Sequence, residues 1–147
     1  MKTRVKWIDG VSFVGEAGSG HAIVVDGAAE NGGRNIGMRP METLLTGAAA
    51  CTAFDVVAIL KKGRHPVSDV VVTVEAERAP TAPRVFTGLH YVYTVAGHGL
   101  DRRHVERAVK LSKEKYCSAT IMLGKTATIT YDIVVVEGDR VPDPAPA

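Results

Sequence analysis

The fold is decided by residues 39–60, RPMETLLTGAAACTAFDVVAIL, which carry only two ionisable side chains after residue 42, Cys51 and Asp55. Arg39-Pro40 opens the run with proline in the favoured first turn of a helix. Lys61-Lys62-Gly63 follows the run. Cations in the last turn and a glycine in the left-handed conformation commonly end a helix. The run therefore predicts one long helix that is apolar on nearly every face.

A helix of this kind either spans a membrane or is buried in protein. The run is slightly short for a span and has Asp55 inside it, so we predict a buried helix and no membrane. A domain of 147 residues struggles to cover every face of one helix. We therefore expect a second subunit to cover part of it.

Short strands are predicted before the helix, where apolar and polar residues alternate. Asp9-Gly10 is a strong hairpin signal, and Asp26-Gly27 predicts a further turn. Residues 28–38 are rich in Gly and Asn and predict an exposed loop. The strands are expected at residues 4–8, 11–13 and 21–25.

After the helix, the pattern predicts three more strands and two more helices. Tyr91 and Tyr93 share one face of the middle strand, and Asp101 is a good N-cap for a helix that continues to Tyr116. Ser118 caps a short third helix. The strands are expected at residues 67–77, 85–95 and 126–136.

This order of elements indicates an α+β fold. The length predicts a single domain, residues 1–138, followed by a Pro-rich tail, residues 139–147, that we expect to be disordered.

Composition excludes several classes of function. A net charge of +2, spread along the chain, argues against nucleic acid or an anionic membrane surface as a partner. The glycines of residues 15–20 lack the following lysine of a phosphate loop. The His and Cys residues are scattered, so no metal site and no cofactor is predicted. The amino terminus does not resemble a signal peptide, and we expect a cytoplasmic protein.

Two cysteines carry the candidate chemistry. Cys51 follows three alanines, which leave space around its sulfur, and Cys117 stands between two predicted helices. The amino end of the following helix, with Lys113 and Lys115 near in sequence, is expected to favour a thiolate at Cys117. Both cysteines have the alternative interpretation of small, buried core residues. A redox function requires that the two sulfurs meet.

The two cysteine motifs resemble those of the OsmC/Ohr family. Residues 39–57 are similar to the family's central helix, and Glu114-Lys115-Tyr116-Cys117-Ser118 to its second cysteine motif. The resemblance extends from residue 5 to the last strand and is strongest to the YhfA-like branch. It implies an OsmC-like α+β fold in which antiparallel sheets wrap around long central helices of an intertwined homodimer.

The resemblance also implies an activity. Family members are thiol-dependent peroxidases that reduce organic hydroperoxides in the response to oxidative stress and are reduced again by dithiols, including lipoyl groups. By similarity Cys51 is the peroxidatic nucleophile and Cys117 the resolving thiol, and a Cys-based hydroperoxide reductase is the predicted enzyme.

Two features depart from the family pattern. The family's acidic residue follows the proline directly, whereas here Met41 intervenes and Glu42 is the candidate. On a continuous helix Glu42 would lie about 13 Å before Cys51 along the axis, so it reaches the site only if the helix starts late or bends. The family's arginine has no counterpart between Arg4 and Arg34, which leaves Arg34 or Arg39 as the cation.

These departures keep other functions open. The chain is alternatively a small-molecule binding or redox-sensing protein that keeps the fold and has little peroxidase turnover. A transfer of the thiol to an acyl group or another electrophile is a third possibility.

Overall fold

The computed structural model describes residues 1–142 and divides the chain into two compact units. The first covers Met1–Thr46, and the second begins at Gly47. The predicted tail at residues 139–147 lies largely outside the described residues. Within the described part, the Val141 N–H donates to Asp69 Oδ2 at 2.9 Å.

A three-stranded antiparallel sheet forms the first unit, in the order β1-β2-β3. Its first hairpin turns at Gly10-Val11, one residue later than the predicted Asp9-Gly10, and Gly10 has the positive φ of 52° that this tight turn requires. The second strand continues through Gly15 and Glu16 to Ala17, beyond its predicted end at residue 13. The strands are β1 (Thr3–Asp9), β2 (Ser12–Ala17) and β3 (Ala22–Val25).

Asp26 organises the segment that follows the sheet. Its buried carboxylate accepts hydrogen bonds from the Ser12 hydroxyl and from the backbone N–H groups of Gly27, Arg34 and Ile36, at 2.8–3.1 Å. These bonds hold the pKa of Asp26 down at about 2, with the Ile36 N–H as the largest cause, against the opposing effect of burial. The predicted exposed loop is therefore anchored to the sheet by one carboxylate.

The long helix α1 spans Pro40–Lys62 as predicted. It ends in a Schellman motif, because the His65 N–H donates to the Leu60 carbonyl and Arg64 adopts the left-handed conformation at φ 58°. The prediction gave that conformation to Gly63. Gly63 is needed for space instead, since a Cβ there would lie 2.6 Å from the His65 ring.

By length and composition α1 is apolar enough to cross a membrane, but such helices also form the cores of soluble proteins. Within the second unit its buried residues form one stripe at intervals of four, Ala48, Thr52, Val56 and Leu60. Phe54 lies outside that stripe and is 74% exposed.

The second unit contains the main sheet, in the order β4-β5-β6. Strand β5 pairs antiparallel with β4 and parallel with β6, so this sheet is mixed, which corrects the expectation of antiparallel sheets throughout. The parallel pair arises because two helices lie between β5 and β6 in sequence. The strands are β4 (Asp69–Arg78), β5 (Phe86–Ala96) and β6 (Thr128–Val136).

Two helices separated by a π-helical turn connect β5 to β6. Helix α2 (Arg102–Leu111) begins at Asp101, whose side chain accepts from the Arg103 N–H at 2.8 Å, as predicted. The prediction extended this helix to Tyr116, but residues 112–116 form the π-helical turn. Tyr116 is half exposed as a result.

Helix α3 (Ser118–Leu123) follows the π-helical turn. The cap of α3 is Cys117, one residue before the predicted Ser118. Its Sγ accepts from the Thr120 N–H at 3.5 Å.

Candidate thiol site

The fold brings Cys51 of α1 next to Cys117. Both thiols are free, and Cys51 is near enough to Cys117 to raise the pKa of its thiol. Cys51 is partly exposed and Cys117 is fully buried. A reactant that comes from solvent therefore meets Cys51 first.

The surroundings of Cys117 favour the protonated thiol. Burial is the largest cause and raises the pKa of the thiol, and Cys51 raises it further. Hydrogen bonding by Thr120, through its hydroxyl and its backbone N–H, lowers the pKa and only partly offsets burial. The expectation that the helix terminus and nearby lysines favour a thiolate here is therefore wrong in its net direction.

The two lysines near Cys117 in sequence contact aromatic rings. The ammonium of Lys113 lies 4.0 Å from the centre of the Tyr131 ring, and that of Lys115 lies 5.4 Å from the centre of the Tyr116 ring. These distances are typical of cation–π pairs. Both lysines thus have local partners.

A chain of hydrogen-bonded hydroxyls runs beside the thiols. Thr52, the residue after Cys51, lies 2.8 Å from Tyr93 Oη and 2.9 Å from Ser112 Oγ, and Ser112 donates to Asp55 Oδ2 at 2.9 Å. We call Tyr93, Thr52, Ser112 and Asp55 the hydroxyl chain. Because the single Ser112 proton goes to Asp55, Thr52 donates to Ser112 and Tyr93 donates to Thr52, so each hydroxyl donates in the direction of Asp55.

The π-helical turn joins this hydroxyl chain to the second thiol. It begins at Ser112, whose carbonyl accepts from the Cys117 N–H at 2.8 Å. The same residue thus donates to Asp55 through its side chain and holds Cys117 through its backbone. A π-helical turn is a frequent feature of functional sites.

Two tyrosines of β5 complete the surroundings of the thiols. The Tyr91 and Tyr93 rings stack with their centres 6.2 Å apart, on the shared face that the sequence predicts. Burial is the largest cause that raises the pKa of each phenol to about 12, and the nearby Cys117 raises both further. The Tyr91 hydroxyl is fully buried and has no hydrogen-bond partner within residues 1–142.

A surface cavity of about 480 Å³ opens beside Asp55. Asp55 follows Cys51 by four residues, which places the two side chains on the same face of α1. Apolar side chains supply much of the lining, and the cationic side chains of Lys62 and Arg107 also line the cavity. The apolar part consists of Ala58, Ile59, Leu111 and Tyr116.

Glu42 and the candidate arginines lie in the first unit. The Glu42 carboxylate accepts from the Arg39 N–H at 2.9 Å and thereby caps the start of α1. The Arg39 guanidinium lies 3.7 Å from Glu42 and 3.3 Å from Asn35 Oδ1, and Arg34 lies 3.8 Å from Asp9. The catalytic role of Glu42, and the role of either arginine as the activating cation, stay predictions.

Sequence reasoning missed three polar members of the site. Thr52 and Ser112 read as ordinary helix residues, and Asp55 was noted only as a charge in an apolar run. One signal was available, because Asp55 follows Thr52 by three residues and Cys51 by four, and both spacings share one side of a helix. Within the part of the chain that the structure describes, no cluster of three His, Cys, Asp or Glu side chains is arranged for a metal.

Known proteins resemble the chain over most of its length. Residues 32–132 match the family model described as OsmC-like protein. Protein YhfA of Escherichia coli K12 is 46% identical over 136 residues, which cover 92% of this chain and 98% of that protein.

Solved structures share the fold. A hypothetical protein from Aquifex aeolicus VF5 superposes with a TM-score of 0.82 at 26% identity, covering 93% of this chain and 96% of its own. An organic hydroperoxide resistance protein OsmC from Legionella pneumophila superposes with a TM-score of 0.67 at 20% identity, covering 92% and 98%. At that identity the second likeness shows the fold alone.

Proposed function

The chain belongs to the OsmC family, and from this premise we propose that it is a thiol-dependent peroxidase that reduces organic hydroperoxides through a Cys51–Cys117 disulfide cycle. The observation that carries the proposal is the proximity of the two free thiols, since Thr52, next to Cys51, hydrogen-bonds Ser112, whose carbonyl accepts from the Cys117 N–H. The unequal exposure of the thiols supports their order of action, with Cys51 as nucleophile and Cys117 as resolving thiol.

In the first step the Cys51 thiolate attacks the terminal oxygen of the hydroperoxide. An S–O bond forms and the O–O bond breaks, so the sulfur becomes a sulfenic acid and the alkoxide leaves to take a proton as an alcohol. In the second step the Cys117 sulfur attacks the Cys51 sulfur. The S–S bond forms, the S–O bond breaks, and the Cys117 proton leaves with the hydroxyl as water.

The apolar lining of the cavity beside Asp55 supports an organic substrate. A hydroperoxide with a hydrocarbon chain can bury that chain there, one helical turn from the reacting sulfur. A dithiol or lipoyl-type reductant then restores the two thiols by disulfide exchange, and the cycle needs no cofactor.

A coupled assay tests the proposal. With cumene hydroperoxide and a dithiol, Cys51→Ser should abolish turnover, because the remaining thiol, Cys117, is fully buried. In the absence of the dithiol, Cys117→Ser should still consume one equivalent of hydroperoxide per Cys51 and then stop at the sulfenic acid. Turnover that persists in Cys51→Ser overturns the proposal.

A second candidate is a redox-sensing or small-molecule binding protein with little turnover. The raised pKa of Cys117 favours it, because a thiol that stays protonated resolves a sulfenic acid slowly. The second-order rate of Cys51 oxidation by cumene hydroperoxide separates the two functions. A rate equal to that of a free thiol favours the sensing protein, and a rate far above it favours the peroxidase.

We also propose that the protein is a cytoplasmic homodimer. Helix α1 is apolar on its exposed side, and Phe54 at 74% exposure is a large side chain that a second copy would cover. Phe54→Lys should weaken the dimer by placing a charge in that interface. Sedimentation of the wild type as a monomer at micromolar concentration contradicts this proposal.

A further inference from the structure

The Tyr91 hydroxyl is a polar group of the thiol site that the two reaction steps above do not use. It is fully buried, and within residues 1–142 no atom accepts or donates a hydrogen bond to it. A buried, unpaired hydroxyl is unfavourable and rare in native proteins. We therefore expect the Tyr91 hydroxyl to gain a hydrogen-bond acceptor in a state of the site other than the resting one.

Tyr93 shows the contrast on the same strand face. Its hydroxyl is equally buried, but its proton is committed to Thr52 in the hydroxyl chain. The Tyr91 proton is uncommitted, and because burial raises the pKa of that phenol to about 12, the proton stays in place at neutral pH. Of these two buried tyrosines, Tyr91 is the available donor.

The position of Tyr91 relative to the sulfurs identifies the missing acceptor. The Tyr91 ring stacks on the Tyr93 ring with their centres 6.2 Å apart, and the Tyr93 hydroxyl contacts Thr52, the residue after Cys51. Tyr91 therefore belongs to the buried cluster that surrounds the thiols, and both cysteines contribute to its raised pKa. Neither reduced sulfur accepts its hydrogen bond. An oxygen atom bonded to a sulfur extends beyond that sulfur by one S–O bond, and the oxidised cysteine thus supplies an acceptor where the reduced cysteine does not.

We propose that Tyr91 is a catalytic residue whose hydroxyl donates a hydrogen bond to the oxygen that Cys51 takes from the hydroperoxide. The inference rests on the proposed function. As the S–O bond forms and the O–O bond breaks, the phenol stabilises the negative charge that develops on the peroxide oxygens. It then holds the sulfenic acid until Cys117 displaces the oxygen as water. Tyr91 keeps its own proton throughout, so the balance of both steps is unchanged.

The test uses Tyr91→Phe in the full chain that carries Cys117→Ser, so that the reaction stops at the sulfenic acid. Dimedone trapping and mass spectrometry measure sulfenic acid formation at Cys51 with cumene hydroperoxide. We expect the rate to fall at least about tenfold, as for the loss of one donor to a developing oxyanion. The melting temperature should stay the same or rise, since the substitution removes an unpaired hydroxyl and keeps the ring.

Tyr93→Phe in the same background is the matched control. It removes a hydroxyl of equal burial that already has a partner, so its melting temperature should fall and its rate should fall by less than that of Tyr91→Phe. An unchanged rate in Tyr91→Phe, or equal slowing in both variants, overturns the role of Tyr91 and leaves the peroxidase proposal standing. No sulfenic acid in the Cys117→Ser parent overturns the peroxidase, and this inference with it.

Discussion

Thr52→Val removes the central hydroxyl of the hydroxyl chain and keeps the shape of the side chain. Thr52 is fully buried and bridges Tyr93 Oη and Ser112 Oγ, at 2.8 and 2.9 Å. Without it the buried Tyr93 hydroxyl loses its acceptor. Ser112 keeps the Asp55 carboxylate as its acceptor and loses only the hydrogen bond that it receives.

The cost follows from this difference. A buried donor left without a partner costs about 1–3 kcal/mol. Ser112 adds a smaller amount, because its oxygen loses the hydrogen bond that it accepts from Thr52. Valine fills the volume of threonine, so no cavity forms, and the helix propensities of the two residues are similar. We expect Thr52→Val to lower the free energy of unfolding by about 2–3 kcal/mol, which is about 5–10 °C in melting temperature.

Urea unfolding followed by circular dichroism measures the effect. Thr46→Val is the control, because Thr46 is an exposed threonine of the same helix whose hydroxyl contacts only the Met38 sulfur, at 3.6 Å. That control should change the free energy of unfolding by no more than about 0.5 kcal/mol. The double variant Thr52→Val with Tyr93→Phe should be more stable than Thr52→Val alone, since it removes the unpaired donor.

Two results would refute this reasoning. One is a Thr52→Val variant as stable as the Thr46→Val control. The other is a double variant whose destabilisation equals the sum of the two single effects, because independent losses would mean that the hydroxyls of Thr52 and Tyr93 are not coupled.

Three further predictions follow from the ionisable groups. The fold lowers the pKa of Asp26 from 3.8 to about 2, so its carboxylate contributes stability above pH 3.8 that is lost as the pH falls towards 2. Thermal melts of the wild type should show a melting temperature that falls over this pH range. Asp26→Asn should melt lower at pH 7 and lose this pH dependence. The pKa values of Tyr91 and Tyr93 are raised from 10.0 to about 12, so their contribution to stability is complete below pH 10 and is lost as the pH rises to about 12. Phenolate absorbance should show two of the four tyrosines ionising only on unfolding, and early ionisation of all four contradicts this. Maleimide should label Cys51 before the buried, protonated Cys117 in the native protein, as peptide mapping would show, and the reverse order contradicts the difference in exposure.

The sequence predicts α1 well because both of its ends are marked locally. Proline at its first residue and two lysines at its last restrict where the helix can begin and end. Its final cap could not be predicted, since the choice between Gly63 and Arg64 depends on where the His65 ring lies. Spacing predicts an element, while side-chain packing decides the details of its ends.

The pairing of strands shows a second limit. The alternation of β6 predicts a strand but carries no information on its partner, and the parallel pairing with β5 follows from the course of the chain through α2 and α3. Asp26 shows the same limit at one residue. Its sequence context is that of a turn, whereas its four hydrogen bonds reach as far as Ile36.

The sequence predicts one part of the candidate site and misses the part that depends on packing. The two cysteines stand out in sequence because they carry a recognisable reactivity and resemble known motifs. Thr52 and Ser112 do not, because a hydroxyl in a helix gains a role only when the fold supplies its partner. The missing partner of Tyr91 is likewise a property of the packed site and has no signal in the sequence.

The most direct measurement is the intact mass and the disulfide map of the reduced protein after one equivalent of cumene hydroperoxide. Peroxidase chemistry at the paired thiols predicts the loss of two hydrogen atoms and a single linked peptide pair that contains Cys51 and Cys117. An unreacted protein, or one that gains oxygen atoms on Cys51 while Cys117 stays a free thiol, contradicts it.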